Sequence, residues 1–139
     1  MTWITYAAIS AGAAALTAVL AKIGVEGVPS NLATAIRTVV VLVFAWAIAI
    51  GLGEHRAFGT LSRRSLVFLV LSALATGISW LAYYRALQMA PASRVAPIDK
   101  LSLPLTLIFA AVFLGEAMTW RLIVGVALMT AGALITLKP

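Results

Sequence analysis

Five apolar runs, each close to the thickness of a lipid bilayer's core and divided by short polar breaks, limit this chain to one kind of fold. They span about Trp3–Ala21, Ser30–Leu52, Ser65–Gln88, Ser93–Leu114 and Thr119–Leu137. A membrane-crossing helix needs about 20 predominantly apolar residues, so every run suffices for one crossing. Composition agrees. The 139 residues are 63% hydrophobic and 10% charged, whereas soluble domains are roughly 45–50% apolar and about 25% charged. The expectation is an all-α integral membrane protein, a bundle of five transmembrane helices forming one domain over residues 1–139. Its first run lacks a basic leader and exceeds the roughly 7–15 apolar residues of a signal sequence. It therefore reads as a retained span.

Each break has a local cause. "KIGVEGVPS" holds Lys22, Glu26, two glycines and Pro29, and Ser30 is expected to cap the second helix. "GEHRAFGTLSRR" is the one long polar loop. "MAPAS" carries a proline where the third helix must stop. "GEAMT" offers Gly115 as a left-handed terminator and Thr119 as the next cap. Loops this short make neighbouring helices antiparallel. Small residues recur at close spacing, at Ser10, Gly12 and Ala14 and again at Gly125, Ala127, Ala131 and Gly132. They suit close helix packing in lipid or a subunit interface.

Inside the runs stand three ionisable residues, Arg37, Asp99 and Lys100. Each costs about 2.5–3.5 kcal/mol on insertion scales, so each is expected to face protein or water. Arg37 follows Ser30 by seven positions and Asp99 follows Ser93 by six. At about 1.5 Å per residue both lie about 10 Å deep from the same membrane side, and an Arg37–Asp99 pair is the leading assignment. Asp99 and Lys100, as helix neighbours about 100° apart, are expected to satisfy each other poorly. Asp99 shares a polar stripe with Ser102 and Thr106. Pro97 and Pro104 each deprive the carbonyl four residues earlier of its helical donor, which would free those of Ser93 and Lys100. Polar, irregular backbone at membrane depth is tolerated beside protein or a wet cavity, and interrupted helices line transport sites. The fourth helix is therefore expected to line a cavity. The competing reading has Arg37 and Lys100 snorkelling to the interface with the carboxylate as their anchor.

Trp80 and Thr76, one turn apart, could meet a substrate ring or cation, or Trp80 could serve core packing. Tyr83 and Tyr84, near the end of the third helix, look like belt residues, with Trp3, Trp120 and Phe58 as interface anchors. His55 is the single histidine and the chain has no cysteine. No catalytic triad or metal cluster can be assembled from such a set, and no phosphate-binding glycine loop is present. An enzyme is not expected, and neither are a cofactor, a bound metal or a nucleic-acid partner.

The stretch "YYRALQMAPASRVAPIDKLSLPLTLIFAAVFLGEAMTWRLIVGVALMTAGALI", Tyr83–Ile135, resembles the second half of an EamA domain of the drug/metabolite transporter superfamily. The likeness lies in the "APAS" turn, the proline-bearing fourth helix, the "FLGE" ending at Glu116 and the glycine-spaced last helix. "AKIGVEGVPSNLATAIRTVVVL" is similar to that domain's first hairpin, with Arg37 in its usual place, and "VAPIDKLS" resembles the small five-helix branch. The resemblance implies secondary transport, commonly export of metabolites or amphiphilic compounds. Many relatives join two inverted repeats, and here one EamA-like repeat is seen. It also implies a small-molecule substrate. The single repeat leaves open whether the chain works alone, as a dimer or with another protein, and the reading adopted is a homodimer in a bacterial or archaeal plasma membrane. The cavity residues expected are Arg37, Asp99, Lys100, Trp80, Thr76, Ser102 and Thr106, with Pro97 and Pro104 as the helix break. Rivals are a lipid-headgroup flippase, with Arg85 and Arg94 as a basic lip, and a non-transporting membrane subunit of a larger complex.

Charge predicts a further property. One membrane face carries Arg56, Arg63, Arg64 and Arg121, and the other Lys22, Arg85, Arg94 and Lys138. Orientation follows Lys/Arg excess near span ends. Four against four leaves none, and the deeper Arg37 and Lys100 favour the second face only modestly. Insertion in both orientations follows, and two opposed copies would rebuild an inverted repeat as an antiparallel homodimer.

Overall fold

The computed structural model describes residues 2–137. They form helices α1 (Trp3–Gly24), α2 (Ser30–Gly51), α3 (Arg63–Met89), α4 (Ala92–Asp99), α5 (Ser102–Phe109) and α6 (Trp120–Ile135). A 3-10 helix (Glu54–Thr60) joins α2 to α3, and a π turn (Ala110–Leu114) ends α5. No strand occurs among the described residues. The Val39–Val43 run would favour a strand in water. In lipid, every backbone group must be bonded within the segment, and the helix wins.

Four helical segments are long and apolar enough to cross a membrane: Trp3–Gly24, Ser30–Gly51, Arg63–Met89 and Ala92–Leu114. The fifth, Trp120–Ile135, is shorter at 16 residues. It runs on through turn bonds from the Thr136 and Leu137 amides to the carbonyls of Gly132 and Leu134. The apolar faces point outward: Ile78, Val112, Phe113 and Leu128 are each about 70% or more exposed. The buried apolar residues are Ala21, Val25, Tyr84, Leu87, Val95 and Ala133. Surfaces this oily are stable against lipid tails, not water. This is an all-α membrane protein.

Most boundaries match their local causes. Gly115 adopts the left-handed conformation (φ 67°) that a side chain would disfavour, and the Thr119 hydroxyl accepts the Leu122 amide at 3.4 Å. Ser30 departs from expectation. Pro29 occupies the cap position of α2 and no side chain caps it, because the proline's fixed φ sets the entry and leaves Ser30 as the first helical residue. The polar loop is also ordered differently: Gly53 turns left-handed (φ 74°) and leads into the 3-10 helix, while Ser62 Oγ accepts the Ser65 amide at 3.0 Å and starts α3.

The chain divides into two units. One comprises Leu20–Met89; the other holds the residues up to Val19 together with those from Ala90 on. Within the first, α2 packs along α3. Within the second, α4 and α5 both pack on α6. Lys138, counted in the charge balance, lies outside the described residues.

Candidate functional site

In the Leu20–Met89 unit, the buried groups collect at one end. Ala21 and Val25, Ser30 and Thr34, and Tyr84 and Leu87 are each under 9% exposed. Two long-range bonds tie this end to the last turn of α3. Lys22 Nζ donates to the Leu87 carbonyl at 2.6 Å, and Gln88 Nε2 donates to the Val28 carbonyl at 2.7 Å. A cation at a helix C-terminus meets carbonyls that have no helical donor and the negative end of the dipole. Arg85 Nη1 in turn donates to Gln88 Oε1 at 3.1 Å.

Two turns into α2, Arg37 points at α3. Its guanidinium carbon lies 4.0 Å from the ring centroid of Trp80 and 5.8 Å from that of Tyr84. Trp80 and Tyr84 are four apart and share one helix face, so the cation is set against two rings. Such contacts contribute about 0.5–1 kcal/mol when exposed and about 2 when desolvated. That offsets a good part of the cost of placing arginine in a span. Tyr83 meets Tyr84 edge-on at 6.5 Å. Tyr84 is 4% exposed, so it is a packed residue and not part of an interfacial belt. The Trp80–Tyr84 spacing was the available signal. Nothing in the sequence marked Lys22 or Gln88 as long-range donors.

In the second unit, the fourth span is interrupted. Lys100 and Leu101 form a turn between α4 and α5. The Leu101 amide bonds to the Ile98 carbonyl at 2.9 Å, and the Leu103 amide to the Lys100 carbonyl at 3.0 Å. The Lys100 carbonyl is therefore not left free, as the position of Pro104 suggested; a tighter three-residue bond serves it. Pro104 falls in the first turn of α5, where a missing amide hydrogen costs little. At this turn Lys100 Nζ approaches Asp99 Oδ2 at 3.4 Å, with the side chains 54% and 37% exposed. The contact is long because neighbouring helical positions diverge, and the flexible lysine stem spans the gap. Each member of the pair expected from depth is thus engaged within its own unit, Arg37 on its rings and Asp99 with Lys100.

The remaining polar residues of the spans bond locally. Thr76 Oγ1 donates to the Ser72 carbonyl and Thr106 Oγ1 to the Ser102 carbonyl, both at 2.9 Å. Thr34, Thr38 and Thr130 do the same four residues back. This pattern lets a hydroxyl exist in a helix without a partner elsewhere. The site residues therefore fall into two groups: Arg37 with Trp80, and Asp99, Lys100, Ser102 and Thr106 around the interruption between Pro97 and Pro104.

Comparison with known proteins places the chain in a family. The EamA-like transporter family matches residues 1–138. The chain belongs to that family. It is also 49% identical over 133 residues to an "uncharacterized transporter in cobO 3'region" of a Sinorhizobium species, a match covering 96% of this chain and 94% of the relative. No solved structure matches. As a member of the EamA-like family the protein is a multi-pass membrane transporter of the drug/metabolite type.

Proposed function

We propose that this chain is a subunit of a secondary exporter for a small organic solute, acting in a bacterial plasma membrane as a homodimer of opposed copies. The observation that supports the reading most is the interruption of the fourth span at Lys100–Leu101 with the Asp99–Lys100 pair upon it. Two charged groups more than a third exposed within a span require water, protein or ligand beside them. An interrupted helix supplies polar backbone at the same level. In this reading Asp99 and Lys100 form the polar centre of one unit, with Ser102 and Thr106 extending it along α5, and Arg37, Trp80 and Thr76 are the candidate solute contacts of the other. The Sinorhizobium relative, named an uncharacterized transporter, agrees with the class.

The test starts from purified protein. Small organic solutes are screened for those that raise its thermal stability, since a ligand of the folded state alone must do so. Each hit is then followed out of loaded proteoliposomes. The proposal expects a stabilising solute whose efflux depends on Asp99. Stoichiometric co-purification of a foreign membrane protein, with no solute effect and no flux, would instead identify a non-transporting subunit.

A lipid-headgroup flippase is the second reading. The exposed Arg85 at the end of α3 favours it. Scrambling of a labelled lipid without solute efflux would decide for it.

A further inference from the structure

An open cavity of about 660 Å³ lies in the Leu20–Met89 unit, between the Gly27–Asn31 segment and the side chains of Arg85 and Gln88. Three features of its wall can donate to an anion. The first is the start of α2. Pro29 holds the cap position, and no side chain accepts from the amides that follow. The first amides of a helix have no partner within it, and they carry the positive end of the dipole. The second is Ser30. The residue is 8% exposed, and its hydroxyl makes no hydrogen bond among the described residues. Yet no buried side-chain oxygen there lacks a partner. The hydroxyl therefore keeps some exposure, and Ser30 lines this cavity.

The third feature is Arg85. Its guanidinium spends one bond on Gln88 Oε1, and Gln88 is held by the Val28 carbonyl. Arginine has five N–H donors in a fixed fork, and no carboxylate pairs with Arg85 among the described residues. The acid of this segment, Glu26, is exposed and does not line the cavity. The amides that open α2, the Ser30 hydroxyl and a positioned guanidinium line one space, and the lining includes no carboxylate. Oxyanions are recognised by such sets, with arginine as the bidentate partner. The cavity also lies where the apolar helices α1, α2 and α3 have their ends, so a lipid headgroup is one source of such an anion.

We propose that this cavity is a binding site for a phosphate-type oxyanion, held by the start of α2, the Ser30 hydroxyl and Arg85, with Gln88 as the positioning residue of the guanidinium. The site stands whether or not the transport reading does, because it is tested by binding. The phosphate comes from a lipid headgroup or from a phosphorylated solute, and the experiment separates the two.

The full chain is purified in neutral detergent and titrated with inorganic phosphate, with thermal unfolding as the readout. In parallel it is placed in phosphatidylcholine nanodiscs with increasing phosphatidylglycerol. Stabilisation by inorganic phosphate identifies a solute site, and stabilisation by phosphatidylglycerol alone identifies a headgroup site. In either case Arg85→Gln weakens the apparent affinity about tenfold, the scale of one lost charge-assisted bond. Arg56→Gln, which lowers the net charge equally from the distant 3-10 helix, leaves it within about twofold on the same scale. Asn31→Asp keeps the test decisive if Arg85→Gln does not fold. A carboxylate in the first turn of α2 favours the helix dipole, so the unliganded protein holds or gains stability while the response to phosphate disappears. The proposal is overturned if neither probe stabilises the parental protein. It is equally overturned if Arg56→Gln and Arg85→Gln lose affinity alike, or if Asn31→Asp responds like the parent.

Discussion

Arg37 and Trp80, on neighbouring antiparallel helices, stand face to face, with the guanidinium carbon 4.0 Å from the indole centroid. Tyr84 flanks the cation on the same face of α3. An arginine in a membrane span is thereby matched to aromatic faces in place of a carboxylate. The contact is made inside one unit by α2 and α3, and it makes the strength of their packing depend on two side chains.

That contact has a measurable coupling. Trp80→Leu and Arg37→Met should each lower thermal stability in detergent, and the double variant should lose less than the sum. The expected coupling is about 0.5–2 kcal/mol. Additive losses would show that the ring and the cation act separately.

The Asp99–Lys100 pair is exposed, so its removal should cost little stability. Exposed pairs contribute about 0–1 kcal/mol. Asp99→Asn is expected to unfold within that margin of the parent while solute efflux falls at least about tenfold, roughly one unpaired charge's worth at a transport site. Normal efflux from a normally folded variant would remove Asp99 from the pathway.

Pro104 is tolerated because α5 begins just before it. Pro104→Ala returns an amide hydrogen that can reach the Lys100 carbonyl and rejoin α4 to α5. The gain in stability is expected to be modest, since in the first turn of α5 the proline costs little. Higher thermal stability with reduced efflux is the expected combination. A variant as active as the parent would show that the interruption is not used in transport.

Dual topology can be read directly, since the chain has no cysteine. Glu26→Cys and His55→Cys place thiols at exposed positions on opposite membrane faces. Lys22 is less suitable, being bonded to the Leu87 carbonyl. An impermeant thiol reagent added to intact cells should label part of each population. Full labelling of one site and none of the other would mean a single orientation.

What the sequence settled by itself follows from the bilayer. An apolar run near 20 residues that must bond its own backbone has one conformation available, so the all-helical fold was legible, as were Gly115 as terminator and Thr119 as cap. The interruption of the fourth span was legible too, because proline chemistry is local. Partners were not. A helix that is apolar on every side gives no signal of its rotation about its axis, and rotation decides which ring Arg37 meets. The same blindness hid the burial of Tyr84 and the bonds from Lys22 to the Leu87 carbonyl and from Gln88 to the Val28 carbonyl, which join residues some 60 positions apart. Ser30 was misplaced by one position, since the choice between serine and proline as the cap depends on how the chain enters α2. That one position matters physically: as the first helical residue, Ser30 keeps its hydroxyl free at the cavity, whereas as a cap it would have spent it on the helix's own amides.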